Sequence, residues 1–309
     1  MNILVIGHLC LDVIHRASGP ATESYGGIYY SLVTLSGVLD TTDRVIPVFG
    51  VNKQDHQPLI EHLQRFPNID CSGIFKFDEP TNTVHLYYKS KEARTECSQH
   101  IAQPIAFERI RRHLPVDGIL VNMISGFDIE LETLDHIRLA VRSRQIPIHF
   151  DVHSLTLGVN NEHERYRRPV DNWRRWAFMV DTVQLNEEEI LGLQARVEQS
   201  GAFSEEQVAG HLLTLSVKSV VVTRGAGGAT IYRNDKKHVV RTDVSGTEVA
   251  TVSDTTGCGD VFGAACFVHY LRTHDIIKAA EFANTIAAQR VGQVGSRHLH
   301  EQISKPLVA

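Results

Sequence analysis

The chain has 309 residues, of which 42% are hydrophobic and 22% charged, and a formal net charge of −5. That is enough chain for one large α/β domain, or a domain with a small appendage, at an ordinary globular composition. The acid excess argues against nucleic acid or an anionic membrane as the main partner. Cys10, Cys71, Cys97, Cys258 and Cys266 are odd in number and form no C-x-x-C pair, which predicts reduced thiols rather than a disulfide framework. Met1-Asn2 leads at once into the apolar run Ile3–Ile6, too short for a signal peptide, and no apolar stretch approaches the ~20 residues of a membrane span. The expectation is a cytoplasmic protein with neither membrane nor nucleic acid as partner.

In chain order, Ile3–Ile6 has the continuous β-branched pattern of a strand buried on both faces of a parallel sheet. It runs on into Gly7-His8-Leu9-Cys10-Leu11-Asp12. Ligands gather at the carboxyl ends of strands in such sheets, which places Asp12 against a ligand or in a turn. Gly26-Gly27 precedes a helical pattern, where paired glycines allow close backbone approach or a hinge. Arg44–Gly50 reads as the second core strand and Asp55–Phe66 as its following helix. The pattern then alternates. Ile74–Phe77 and Thr83–Lys89 read as two arms of an antiparallel hairpin, a small sheet standing off the main domain as a lid or an ornament.

The βα rhythm resumes with strand Gly118–Asn122, helix Glu130–Arg144 and strand Pro147–Asp151, which again ends in an acid. The Arg-rich stretch Asn160–Trp176 reads as a solvated helix or a subunit contact, since the acid balance disfavours a nucleic-acid surface. Asn186-Glu187-Glu188-Glu189 suits an N-cap with acids in the first turn, or a polar cluster holding a metal-bound water. Lys218–Thr223 is a strand closed by Arg224-Gly225-Ala226-Gly227-Gly228, a turn able to approach phosphates. Nothing fits G-x-x-x-x-G-K-[ST], and no G-x-G-x-x-G follows the first strand. Ala229–Tyr232 and His238–Arg241 form a late antiparallel pair, and the last helices span about 260–273 and 275–291.

The most informative stretch is Asp254-Thr255-Thr256-Gly257-Cys258-Gly259-Asp260, followed directly by the small, apolar run Val261–Val268. Two glycines at a helix start expose successive N–H groups where the helix dipole is positive, which attracts anions. Asp260 would repel such an anion unless it is the base for the group attacking it. The chemistry this suggests is phosphoryl transfer.

Taken together and in order, these positions resemble the ribokinase-like (PfkB-type) carbohydrate kinase family. Asp254–Asp260 is similar to its D-T-x-G-x-G-D signature, Asn186–Glu189 to its N-x-x-E, Val222-Thr223-Arg224-Gly225 to its V-T-x-G turn, and Gly26-Gly27 to its N-terminal glycine pair. The resemblance implies a three-layer α/β/α fold with a mostly parallel central sheet. It implies one domain over 1–309, with a β lid from segments near 8–27 and 72–100. It implies transfer of the γ-phosphoryl of ATP to an alcohol group of a small sugar. Asp260 would be the general base, and Gly257, Cys258 and Gly259 the anion hole. Asn186 and Glu189 would organise Mg²⁺ through water. Thr223, Gly225, Thr256 and Asn284 would meet the nucleotide, and Asp12, Gly26, Gly27, Ser31 and Asp151 the acceptor. Asp254 would shape the loop beside a K⁺ site, and lids of this family often pair into homodimers.

Two departures bear on the acceptor. Ser31 stands where sugar kinases of this family commonly have Asn. Asp151-Val152-His153-Ser154 replaces a frequent D-P-N-x-R and loses its arginine, which disfavours a sugar phosphate. Tyr29, Tyr30, Asn122 and Phe127 are compatible with an unphosphorylated sugar or a nucleoside. A nucleoside kinase and a non-catalytic ligand-binding homologue are the alternatives.

Overall fold

The computed structural model describes residues 1–16, 19–88, 94–193, 203–236, 238–292 and 294–303. The first third holds β1 (Asn2–Ile6), β2 (Leu9–His15), β3 (Thr22–Gly27), α1 (Ile28–Val38), β4 (Arg44–Asn52), α2 (Lys53–Leu63), β5 (Ile74–Phe77), β6 (Thr83–Tyr88) and β7 (Arg94–Gln99). Next come α3 (Phe107–Ile110), β8 (Gly118–Asn122), α4 (Leu131–Val141), β9 (Ile148–Asp151), β10 (Leu157–Val159), β11 (Arg165–Arg167) and α5 (Trp173–Phe178). The chain continues through β12 (Thr182–Asn186), α6 (Glu187–Gly192), α7 (Glu205–Leu213), β13 (Ser219–Thr223), β14 (Ala229–Asp235) and β15 (His238–Val244). The last helices are α8 (Cys258–Thr273), α9 (Ile276–Arg290) and α10 (Leu299–Gln302).

Nine strands form the central sheet in the order β15-β14-β13-β12-β9-β8-β1-β4-β5. From β13 to β5 every neighbour is parallel; β14 and β15 are antiparallel. All residues of β8 and β9 are buried, so helices cover both faces of the sheet. One helical group is α1, α8 and α9, and the other runs from α3 to α7. The expected α/β/α architecture is therefore present. The first turns of α8 are buried all round, from Asp260 to Val268, which is why the sequence there carries small and apolar residues without a polar face.

A second sheet of four strands, in the order β3-β2-β6-β7, stands apart. Its composition corrects the sequence reading of a 75–89 hairpin. Ile74–Phe77 is not an arm of this sheet but the parallel edge strand β5 beside β4, and the antiparallel partner of β6 is β7. Lys89 lies outside the described residues. The Arg-rich stretch is also corrected. It contains the short strand β11 and the helix α5, and Trp173 and Trp176 are buried, so it is not a solvated helix.

Candidate active site

Parallel pairing aligns the carboxyl ends of β8, β9, β12 and β13, and brings Asn122, Asp151, Asn186 and Thr223 to one edge of the sheet. The N-terminus of α8 meets the same edge. Gly257 caps the helix at φ 78, in the left-handed region that glycine adopts without steric cost. A Cβ there would also come within 2.4 Å of the Tyr30 ring. Asn122 Nδ2 donates to Asp260 Oδ1 at 2.6 Å. Gln184 Nε2 donates both to Asp151 Oδ2 and to the Gly259 carbonyl, each at 3.0 Å, and so ties the strand ends to the helix start.

The second sheet supplies the opposite wall. Asp12 lies on the same face of β2 as Cys10 and Ile14, all three buried. Gly26, on the adjoining strand, makes room for it: a Cβ would lie 2.1–2.3 Å from the Asp12 carboxylate atoms. Between the walls is a cavity of about 70 Å³ lined by Asp12, Glu96, His153, Thr256, Gly257 and Asp260, among others. A larger cavity of about 760 Å³ opens on the other face of the small sheet, but neither the Asp254–Asp260 loop nor the strand-end acids line it.

Burial raises the pKa of Asp260, while the positive ring of His153 and the Asn122 bond pull it down. Burial likewise pushes Asp151 well above the usual carboxylate range and raises Glu189. Burial alone would depress His153, but Asp260, Asp151 and Glu189 together raise it. Cys258 is pushed up to about 11 by burial, which keeps its thiol protonated at neutral pH.

Asn186 and Glu189 form a capping box at α6. Asn186 Nδ2 donates to Glu189 Oε1 and its backbone N–H to Oε2, both at 2.8 Å. Thr223 ends β13, and Gly225 follows it in a turn closed by the bond from Arg224 N–H to the Gly228 carbonyl. Asn284 donates to the Ser245 carbonyl at 2.9 Å and so holds the segment after β15 against that turn.

Asp254 is filled by protein donors. Its Oδ1 accepts from Thr256 N–H and Tyr88 Oη, and its Oδ2 from Gly295 N–H and Arg290 Nη2. Against burial, these N–H groups and the guanidinium hold its pKa below the usual range. A carboxylate so occupied and neutralised does not fit the role of a K⁺ ligand. Ser31 is fully buried in α1 and does not line the cavity. Tyr29 turns away to His62 at 2.8 Å, and Phe127 packs under Arg168, so neither faces the site.

Residues 166–303 match the model of the pfkB family carbohydrate kinases. A presumptive sugar kinase of Pyrococcus horikoshii is 27% identical over 303 residues, spanning 93% of this chain and 88% of that protein. Among solved structures, a pyrophosphate-dependent kinase of the ribokinase family in complex with sulfate superposes with a TM-score of 0.76 at 17% identity, covering 98% of this chain and all of that one. The pfkB family match covers 138 of the 309 residues, somewhat under half of the chain. A fructokinase of Rhizobium leguminosarum bv. trifolii is 36% identical over 93 residues, 29% of this chain and only 24% of that protein's length.

Four residues at or around the site were not singled out by sequence reasoning: Gln184, His153, Tyr88 and Arg290. His153 carried a signal, since it falls inside the departure from D-P-N-x-R. Gln184 sits inside an ordinary strand pattern. Arg290 is fully buried, yet it reads in sequence as a solvated cation in the last turn of a helix.

Proposed function

We propose that this chain is a phosphotransferase that moves the γ-phosphoryl of ATP to a hydroxyl of a small, uncharged sugar or sugar-like acceptor. The observation carrying this reading is the position of Asp260, buried at the anion-binding start of α8 and facing Asp12 across one cavity. The acceptor hydroxyl gives its proton to Asp260 as the oxygen attacks phosphorus. Asn122 fixes one oxygen of that carboxylate and orients the other. Asp12 accepts hydrogen bonds from acceptor hydroxyls. The anion hole rests on Gly257 and Gly259, because Cys258 N–H is turned back onto the Thr255 carbonyl at 3.2 Å. Thr223, Gly225 and Thr256 meet the donor phosphates.

Asp151, Glu189 and Asp260 influence one another's ionisation, which suits a site that a divalent cation joins. The described residues include no group of three or more His, Cys, Asp or Glu side chains able to hold a metal ion. That fits Mg²⁺ held near Asn186 and Glu189 mainly through water and donor phosphates, where it offsets phosphate charge.

A sugar is favoured over a nucleoside because, among the described lining residues, the rings are those of Tyr30 and His153 alone, beside the aliphatic Val84, Leu86 and Ile124. Asp12 and Glu96 on the wall disfavour an anionic acceptor. A coupled ADP-release screen over pentoses, hexoses, sugar phosphates and nucleosides tests the reading. Turnover of neutral sugars alone supports it; nucleosides as the best acceptors would replace it.

A further inference from the structure

The cavity of about 760 Å³ on the other face of the small sheet has the size of a small-molecule site, and takes no part in the phosphoryl transfer proposed above. Alternation along β2 separates the two cavities. Asp12 lines the proposed reaction site, whereas Leu11 and Val13 line the larger cavity, beside their β6 partners Thr83 and His85. Helix α1, helix α2 and the turn before α10 close the other sides through Tyr29, His62 and Ser296. The two cavities share no lining residue.

The wall of the larger cavity combines two kinds of group. Arg65 and Arg297 line it against a single acid among the described lining residues, Glu23. Neither guanidinium meets a carboxylate among the described residues, and Arg297 Nε donates to the Glu23 backbone carbonyl at 3.0 Å. In a chain of net charge −5, a concave wall with an excess of arginine suits an anion, and the planar guanidinium fork matches phosphate. Rings supply the second kind of group. Tyr25, Tyr29 and His62 cluster with centroids 5.1 to 5.6 Å apart. Tyr29 Oη and His62 Nε2 are paired with each other at 2.8 Å. Burial first, and then Arg65, hold His62 below the usual histidine range, so its ring is largely neutral at neutral pH and the positive charge there belongs to Arg65.

We propose that this cavity binds a small organic phosphate that carries a ring, with the phosphate held by Arg65 and Arg297 and the ring against the Tyr25–Tyr29–His62 cluster. A nucleoside monophosphate and a hexose phosphate share that chemistry, and each is small enough for the volume. The aromatic cluster accepts the ring face, while the arginines exclude a neutral or cationic ligand from competing on equal terms.

Calorimetric titration of the full chain with AMP, glucose-6-phosphate and inorganic phosphate at fixed ionic strength tests this. At least one ester should bind about tenfold or more tighter than inorganic phosphate. Arg65→Gln and Arg297→Gln should each weaken that ester by roughly tenfold, the effect of losing one charged hydrogen-bonding group. Both arginines are exposed, so these variants keep the fold, which a thermal melt checks. Glu23→Gln removes the opposing charge and should tighten binding. Tyr25→Leu keeps apolar volume without the ring, and should weaken the ester while leaving inorganic phosphate unchanged. Preference for AMP or for glucose-6-phosphate identifies the source of the ester, and either supports the proposal. Four results would overturn it: no binding of either ester at millimolar concentration, inorganic phosphate as tight as both, binding that survives both arginine changes and therefore lies elsewhere, or self-association that those changes abolish, which would give this face to a second copy of the chain. None of the four touches the phosphoryl-transfer reading, which the ADP-release screen tests separately.

Discussion

Asp260→Asn isolates the proposed base with little change of shape. The asparagine carbonyl can still accept the bond from Asn122 Nδ2, now 2.6 Å long, so the geometry at the start of α8 is kept. What is lost is the capacity to take a proton. General-base assistance contributes roughly 10²–10⁴-fold, or about 3–5 kcal/mol of barrier at 1.36 kcal/mol per decade. The variant should therefore lose at least about two decades of kcat while the acceptor Kd, measured by calorimetry, changes less than about threefold. Stability should hold or rise, because the substitution removes one of the three neighbouring acids whose ionisation burial opposes. The assay is coupled ADP release, with a thermal melt run alongside. Turnover within a few-fold of wild type would refute the base assignment outright. A loss of turnover accompanied by a collapsed melting temperature would refute the structural premise that Asn122 preserves the geometry.

Arg290→Met leaves the Asp254 carboxylate buried without its guanidinium and should cost about 3–5 kcal/mol in denaturant unfolding. Adding Asp254→Asn should recover part of that loss, and a single variant as stable as wild type would contradict the pairing. Gly26→Ala drives a methyl into the space of the Asp12 carboxylate. It should raise the acceptor KM by about tenfold or more with the ATP KM unchanged, and an unchanged acceptor KM would remove Asp12 from the acceptor site. The pH dependence follows from the directions of the shifts. Asp260 must be ionised to act, so the acid limb of kcat/KM should lie above the ordinary aspartate value of 3.8, and activity flat down to that value would contradict it. For stability, Asp151, Glu189 and Asp260 are raised in the folded state. The unfolded chain therefore releases those protons first, and stability falls as pH rises through the folded values. His153, also raised, stabilises fully below its unfolded value of 6.5 and loses that contribution as pH rises through its folded value. Asp254 has the opposite sign, stabilising above 3.8 and losing its contribution as pH falls through its depressed value. Unfolding free energies that increase steadily from about pH 5 to pH 9 would refute this balance.

The central strands were legible because burial on both faces leaves continuous apolar runs, as in β1, β8 and β13. The edge strand β5 was misread for a physical reason. An edge strand with one wet face alternates just as a hairpin arm does, so periodicity reports exposure and not the identity of the partner. The Asp254–Asp260 loop was legible because its glycines and acid serve a backbone geometry encoded within seven consecutive residues. Arg290 was not, because its counter-charge lies 36 positions upstream and only the packed fold brings the two together. His153 was visible only as a departure from a pattern. The acids that raise its pKa sit on four elements, which only the packed fold brings together.

The bonds of Tyr88 have a mechanical consequence. This side chain, at the end of β6 in the small sheet, reaches Thr256 Oγ1 at 2.9 Å and Asp254 Oδ1 at 3.2 Å. Swinging the small sheet away would break both contacts at the loop that precedes α8. The wall and the loop are thereby latched to each other, and lifting one relaxes the other. Separating the small sheet from the central domain and loosening the turn before α8 are thus coupled through one side chain.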